Sequence, residues 1–171
     1  MVTIKFADIR DAELIAALSQ QTFIETFDSM NTKENMDMFL QESFSKELLI
    51  KEVVAPGNIF LLAYENEMPV GYVRLRDNNN PPELAGTNSM EIARIYAIKN
   101  AIGKGVGKLL MQECISIAEQ KNKSVIWLGV WEHNKRAIDF YTKWGFEKFS
   151  THNFKLGDDN QTDWLMKKIL I

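Results

Sequence analysis

Three glycines, Gly103, Gly105 and Gly107, alternate where a strand-like run ends and a helix-like run begins. Backbone amides in the first turn of a helix have no partner within it, and the helix dipole favours an anion beside them. Glycines let a bulky group such as a diphosphate come within hydrogen-bond distance of these amides. Lys104 and Lys108 would add positive charge at the edge. The loop predicts a diphosphate site, with a tight turn that binds nothing as the alternative.

Two other glycine motifs do not fit this loop. A nucleotide-binding P-loop has a glycine where this chain has Ile102, and a Ser or Thr where it has Leu109. A Rossmann fingerprint has a wider spacing before its third glycine and an acidic residue about 20 positions further on. The corresponding region of this chain, residues 125–127, reads "VIW". The sequence therefore excludes both motifs.

The stretch "MEIARIYAIKNAIGKGVGKLL" resembles the acetyl-CoA-binding motif of the GCN5-related N-acetyltransferases, the GNAT family. It departs from that motif at Lys99, often proline in the family, and at Ile102, usually Arg or Gln. A second stretch, "NKRAIDFYTKWGF", matches the family's N-x-x-A-x-x-F-Y-x-x-x-G-F pattern. Four short stretches most resemble the PaiA type of bacterial spermidine/spermine N-acetyltransferase: "IETF", "EIARIY", "IWLGVWEHN" and "GDDNQTD".

The resemblance implies acetyl-CoA as the cofactor, with the pantetheine arm paired to the strand at residues 95–98. The strand at residues 125–130 would splay away from it and leave a slot. The family pattern assigns cofactor binding to Ile95, Tyr96, Ala97, Ile98, Gly103, Lys104, Gly105, Val106, Gly107, Lys108, Asn134, Ala137, Phe140 and Tyr141. Asn134 would hydrogen-bond the pantetheine or cap its helix, and both roles suit asparagine.

Two residues are the catalytic candidates. The tyrosine that Tyr141 matches points at the CoA sulfur, and a phenol can protonate the leaving thiolate; the alternative is packing beside Phe140. Freeing the electron pair of a primary amine at pH 7 costs about 4–5 kcal/mol, and we expect a carboxylate to accept the proton, directly or through water. Glu91 is that candidate, and an ion pair with Arg94 or a lysine is its alternative. Strict strand alternation puts Glu91 opposite Tyr96, although a bulge, usual in this family, would break the alternation.

Acidic residues predominate between positions 25 and 47, where the sequence has six carboxylates and two lysines. The resemblance implies that these early helices cover the acceptor cleft, and an acidic cover would attract a polyamine. We therefore expect Glu25 and Asp28 to contact the substrate, with Trp131 lining the cleft. An ordinary solvated helix face is the alternative for the acidic residues.

The elements that must hold these residues alternate between helical and strand periodicity. Strands are predicted at "TIKFA", "NIFLLAYE", "VGYVRLRD", 90–98, "SVIWLGVW", "FEKFSTHNFKL" and "QTDWLMKKIL", and helices at 11–28, from 31 or 32 to 44, after Ser45, at 104–122 and at "NKRAIDFYTKWG". The class is α/β, and the resemblance implies one acyl-CoA N-acyltransferase domain over residues 1–171. Its mixed central sheet would have about six to seven strands flanked by helices.

Composition narrows the functional classes. The net charge of −3 gives no reason to expect a nucleic-acid partner. The first residues become polar too early for a signal peptide, and no run is long enough to span a membrane. A single cysteine, Cys114, and two scattered histidines make a metal site unexpected and favour the cytoplasm.

These features predict an acetyl-CoA-dependent N-acetyltransferase that acts on a primary amine by direct attack, with a polyamine as the leading acceptor. Acetylation of a peptide or protein α-amine is the nearest alternative. A non-catalytic acyl-CoA-binding regulatory module is the alternative from another class. A homodimer is possible for any of the three.

Overall fold

Seven strands form one mixed sheet in the computed structural model, which describes residues 1–171. The strands are β1 (Val2–Phe6), β2 (Asn58–Glu65), β3 (Met68–Asp77), β4 (Ser89–Ala97), β5 (Val125–Trp131), β6 (Glu147–Leu156) and β7 (Asp159–Ile169). The helices are α1 (Ala12–Phe27), α2 (Lys33–Glu42), α3 (Lys46–Val54), α4 (Val106–Gln120) and α5 (Lys135–Lys143). The strand order is β1-β2-β3-β4-β5-β7-β6, and only β4 and β5 run parallel. The predicted mixed α/β class is confirmed. None of the helices is both long and apolar enough to cross a membrane.

Both faces of the sheet are covered by helices. Ile15 and Leu18 of α1 pack on Phe60, Leu62 and Tyr72 on one face. On the other face, α4 contributes a buried row to the largest apolar cluster, made up of Val106, Leu110, Met111, Cys114, Ile117 and Ala118. Cys114 is therefore a core residue. The side chain of Leu109, on the same helix, is exposed.

Strand β4 contains a bulge, and the bulge changes which residues share a face. Arg74 of β3 lies opposite Arg94, but the next residue of β3, Leu75, lies opposite Ile92, so Ala93 is an extra residue. Glu91 then lies on the same face as Arg94. The bulge that the resemblance implies is therefore present. It breaks the strict alternation for Glu91, because one inserted residue reverses the parity of everything after it.

A slot opens between β4 and β5 at their carboxyl ends. The parallel pairing runs from Ser89–Val125 to Ile92–Leu128 and then stops. Beyond that point β4 stays paired with β3, and β5 stays paired with β7 as far as Trp131. The facing edges of residues 93–97 and 129–131 therefore have no strand partner. The splayed strands that the resemblance implies are present.

An ion-pair network ties α3 to the sheet beside this slot. Glu52 of α3 contacts Arg94 of β4 at 2.6 Å and Arg74 of β3 at 2.9 Å. The guanidinium of Arg94 also lies over the ring of Phe44, 4.6 Å from its centre. Burial lowers the pKa of Arg74 to about 10. One carboxylate therefore holds two largely buried guanidinium groups, and one of them, that of Arg94, lines a cavity at the slot.

Candidate functional site

The loop before α4 adopts a conformation that requires glycine. Gly103 and Gly105 have φ angles of +82° and +87°, in the left-handed region that other residues rarely adopt. A β-carbon at either position would meet no protein atom within 4 Å. The glycines are therefore selected by backbone conformation and by the open space beside them, rather than by packing.

This loop presents backbone amides that have no partner in the chain. The first bond of α4 is donated by the amide of Leu109 to the carbonyl of Gly105, at 3.1 Å. The amides of Val106, Gly107 and Lys108 consequently have no acceptor, and no side chain caps the helix. Three unpaired donors at the positive end of a helix suit an anion such as a diphosphate. The site predicted from the three glycines therefore has the donors that a diphosphate needs.

Two adjoining cavities extend from this loop along the slot. The first, the loop-side cavity, has a volume of about 370 Å³. Its lining consists of Ile95, Tyr96, Ala97, Ile102, Gly103, Gly105, Gly107, Lys108, Arg136, Ala137, Phe140 and Tyr141. Most of the predicted cofactor residues are in that set. Val106 and Ile98 instead pack in the apolar core, so Val106 offers the cavity only its amide. Lys104 is exposed and lies outside the cavity lining.

The second space, the aromatic cavity, has a volume of about 480 Å³ and shares Tyr96, Tyr141 and part of the β4 edge with the first. Its ring-bearing lining residues are Phe23, Phe27, Phe39, Phe44, Tyr96, Trp131, Tyr141 and Phe154. Asn134 also lines it, and the Asn134 side chain accepts a hydrogen bond from the amide of Ala137 at 3.2 Å. Asn134 thus caps α5 at the cavity wall.

Tyr141 lies where the two cavities meet. It is on α5, its side chain is buried, and its ring packs against Phe140 and Phe146. No hydrogen bond involves its hydroxyl within the chain. Burial raises the pKa of the Tyr141 phenol above its ordinary value. The phenol therefore stays protonated at neutral pH and is available as a proton donor.

Glu91 is the predicted catalytic residue that the structure does not bring to the cavities. Its carboxylate accepts hydrogen bonds from Arg76 at 2.6 and 2.8 Å and from Asn79 at 2.8 Å. It is buried and lines neither cavity. This placement favours the ion-pair interpretation of Glu91, although the partner is Arg76 rather than Arg94 or a lysine. A carboxylate with three donors and no access to the slot is poorly placed to take a proton from an amine.

The three predicted substrate residues occupy different places. Trp131 lines the aromatic cavity. Glu25 lines a neighbouring outer cavity, where its carboxylate accepts a hydrogen bond from the amide of Lys99 at 2.7 Å. Asp28 is exposed and lines none of these spaces. The acidic side chains of residues 25–47 are all exposed, and none of them lines the aromatic cavity.

Asp163 of β7 lines the aromatic cavity and was not identified from the sequence. It pairs with Trp131 across the sheet, and neither carboxylate oxygen has a hydrogen bond or ion pair within the chain. Burial raises the pKa of this carboxyl above its usual value. The available sequence signal was an aspartate in the middle of the strand-like run "QTDWLM", where aspartate is disfavoured.

Comparison with known proteins agrees with this geometry. Residues 20–146 match the model of the acetyltransferase (GNAT) family. An uncharacterized N-acetyltransferase in the pepI 3′ region of Lactobacillus delbrueckii subsp. lactis is 37% identical over the full length of both chains. A spermidine N(1)-acetyltransferase of Thermoplasma acidophilum is 23% identical over 98% of this chain and 96% of its own.

Solved structures share the fold. The PaiA N-acetyltransferase of Thermoplasma acidophilum, crystallised with coenzyme A, superposes with a TM-score of 0.77 at 23% identity and covers 99% of both chains. The acetyltransferase yncA of Salmonella typhimurium, crystallised with acetyl-CoA, has a TM-score of 0.75 at 21% identity, over 100% of this chain and 95% of its own. Acetyl-CoA is the co-substrate of the matched family. The chain belongs to the GNAT family of N-acetyltransferases.

Proposed function

We propose that this enzyme transfers the acetyl group of acetyl-CoA directly to a primary amine that enters the aromatic cavity. The observation that carries the proposal is the row of unpaired amides at Val106, Gly107 and Lys108, which opens into the slot between β4 and β5. The diphosphate would bind these amides, and the pantetheine arm would lie along the free edge of β4. When bound, acetyl-CoA supplies an activated acetyl thioester beside Tyr141.

Two groups of the chain would act on the reacting atoms. An amide of β4 near Tyr96 or Ala97 would donate to the thioester oxygen, and one such donor is worth about 3 kcal/mol. The phenol of Tyr141 would give its proton to the departing sulfur. The position of Tyr141 supports this role, because it lines both cavities at the point where they meet.

A polyamine such as spermidine or spermine is the acceptor that we propose first. The similarity to the spermidine N(1)-acetyltransferase of Thermoplasma acidophilum over nearly the whole chain supports it. The excess of four negative charges over residues 25–47 supports it as well, because these exposed carboxylates would raise the local concentration of a polycation. Glu25, Asp28 and Trp131 would contribute to its binding.

The α-amine of a peptide is the second candidate, and the charges of the aromatic cavity favour it. Three cationic side chains, Arg94, Arg136 and Lys155, line that cavity, and only Arg94 has a carboxylate partner, which is Glu52. The positive charges of Arg136 and Lys155 therefore outnumber the single carboxylate of Asp163. A peptide brings one ammonium group followed by carbonyl oxygens, which guanidinium and ammonium groups can bind. A polyamine brings further positive charges, which these side chains would repel.

One assay separates the candidates. The purified enzyme is mixed with acetyl-CoA and with spermidine, spermine or a panel of short peptides with free α-amines, and a thiol reagent measures the release of CoA. Turnover with spermidine above that with every peptide supports the polyamine. Turnover with peptides and with neither polyamine would show that the acceptor is a peptide α-amine instead of a polyamine. Heat of CoA binding without turnover on any amine would favour a regulatory acyl-CoA-binding module.

Two further expectations from the sequence stay predictions. Cell fractionation tests the cytoplasmic location. Sedimentation of the purified protein with and without CoA tests the homodimer.

A further inference from the structure

We propose that Asp163 is the group that binds the incoming ammonium ion and takes its proton before the amine attacks the thioester. The inference rests on the proposed function, since it assigns a catalytic residue to that reaction. It concerns a residue of β7, on the opposite side of the slot from the strand that carries Glu91.

The position of Asp163 is the first support. Its carboxylate lies over Gly129, the residue at which β5 has just lost its pairing with β4. A side chain at Gly129 would project into this space, and glycine leaves it open. Asp163 therefore faces the slot directly and lines the same cavity as Tyr96 and Tyr141. The proton acceptor and the proton donor would thus stand on different walls of one space.

The absence of partners is the second support. Half-buried carboxylates in proteins are normally hydrogen-bonded or paired with a cation. Glu52 follows this rule, because it pairs with two arginines. Glu91 follows it as well, because it is bonded by Arg76 and Asn79. Asp163 does not follow it, although Arg94, Arg136 and Lys155 line the same cavity. An amine that places an ammonium group between the aromatic rings would provide the missing partner.

The surroundings suit proton transfer. The charged and titratable groups that face Asp163 are His152 of β6, Tyr96 of β4, Tyr141 of α5 and the three cations of the cavity. His152 is exposed and Tyr96 stays neutral because burial raises its pKa. Burial raises the pKa of Asp163, while the positive charges of Arg136 and Lys155 lower the pKa of an ammonium ion in the same cavity. The two pKa values approach each other, which makes the transfer easier.

The reaction balances with these groups. The ammonium R–NH₃⁺ gives one proton to the Asp163 carboxylate and becomes R–NH₂. The nitrogen forms a bond to the acetyl carbon, the carbon–sulfur bond breaks, and the sulfur takes the phenolic proton of Tyr141. After the bond forms, the nitrogen releases its second surplus proton to solvent, and the Tyr141 phenolate takes a proton from solvent. Asp163 then returns its own proton to water. The products are the amide, CoA–SH and one proton.

The test measures kcat/KM for the amine against pH in wild type and in Asp163→Asn. Wild type binds the ammonium ion, so we expect a flat profile between pH 7 and 9. Asp163→Asn can use only the amine that is already deprotonated in solution. We therefore expect its kcat/KM to be about 100-fold below wild type at pH 7 and to rise about tenfold per pH unit. Asp158→Asn, an exposed change in the turn after β6, is the matched control and should behave as wild type.

A purely structural role would lower the profile without changing its slope. A loss under threefold at pH 7, or a flat profile in Asp163→Asn, overturns the inference while the proposed function stands. A wild-type enzyme that binds CoA but acetylates no amine overturns both. Calorimetry with CoA shows whether each variant is folded, and Asp163→Ser serves as a second variant with the same expected slope.

Discussion

The Oδ2 atom of Asp163 lies 3.7 Å from the position that a β-carbon would take at Gly129. This distance is an ordinary van der Waals contact, so a methyl group fits and a larger side chain would extend into the cavity beside the carboxylate. The absence of a side chain at Gly129 therefore keeps open the space that an acceptor amine would need.

Gly129→Val is expected to block this space without unfolding the protein. We expect kcat/KM for the amine to fall about tenfold or more, since a misplaced substrate loses much of its reactivity. The unfolding free energy should change by less than about 1 kcal/mol, because valine favours strands. Steady-state kinetics and urea unfolding measure the two quantities. Gly129→Ala is the size control, and equal losses in both variants would contradict the steric explanation.

Asp163→Asn should stabilise the protein at pH 7 even as it impairs catalysis. Burial raises the pKa of the Asp163 carboxyl in the folded state, so the native state binds more protons than the unfolded state between the two pKa values. Stability is therefore lost as the pH rises through that range, and the loss is complete above the folded pKa. Thermal unfolding should give a higher Tm for the variant at pH 7 and equal values below about pH 4. A lower Tm at pH 7 would mean that the carboxylate has a stabilising partner.

Tyr141→Phe removes the proposed proton donor and keeps the ring packing against Phe140 and Phe146. We expect kcat to fall about 100-fold, the lower end for a general acid, with CoA affinity unchanged. Tyr64→Phe, on β2 and outside both cavities, is the matched control. If Tyr141→Phe retains full turnover, solvent protonates the thiolate and the role proposed for the phenol is excluded.

Gly105→Ala tests the amide-presenting loop. A non-glycine residue at a φ of +87° strains the backbone by about 1–2 kcal/mol. We expect the loop of the variant to relieve this strain by adopting a different conformation. We expect the Kd for CoA, measured by calorimetry, to rise about tenfold. Gly86→Ala introduces the same kind of strain, at a φ of +77° with no atom within 4 Å, in a loop outside the cavities. Gly86→Ala should lower stability as much as Gly105→Ala does and leave CoA binding unchanged. If Gly86→Ala loses CoA affinity to the same extent, the loss in Gly105→Ala comes from general destabilisation and not from the loop.

Glu52→Gln should destabilise the fold by about 3 kcal/mol, because it leaves the guanidinium groups of Arg74 and Arg94 without their shared counter-charge. Urea unfolding measures the change. Glu47→Gln, on the exposed face of the same helix, should alter stability by less than about 0.5 kcal/mol. Similar effects of the two substitutions would show that the network contributes little.

Much of the framework could be predicted from local patterns. The strands β2 and β3 were predicted from two strand-like runs. They pair as a hairpin, and Asn66 and Glu67 make its turn with positive φ angles. The helix after the glycine loop was predicted at 104–122 and spans Val106–Gln120. Asn134 caps α5 as its position before a helical run indicates. These features depend on neighbours in sequence, so periodicity and capping chemistry suffice to find them.

The parts of the site that depend on distant strands could not be predicted in this way. The bulge at Ala93 comes from the register between β3 and β4, and it places Glu91 beside Arg76. The place of Asp163 depends on β7 pairing with β5 along its whole length, including the part beyond Leu128 where β5 has left β4. Neither relationship has a local pattern in the chain, because the paired residues are far apart in sequence.

The central claim is that the amides at the start of α4 bind the diphosphate of coenzyme A, and a crystal structure of the CoA complex tests it most directly. The account predicts diphosphate oxygens about 2.7–3.2 Å from the amide nitrogens of Val106, Gly107 and Lys108. The pantetheine arm should enter the slot between β4 and β5, with its sulfur beside Tyr141. A diphosphate bound elsewhere, with these amides facing only solvent, would contradict the account.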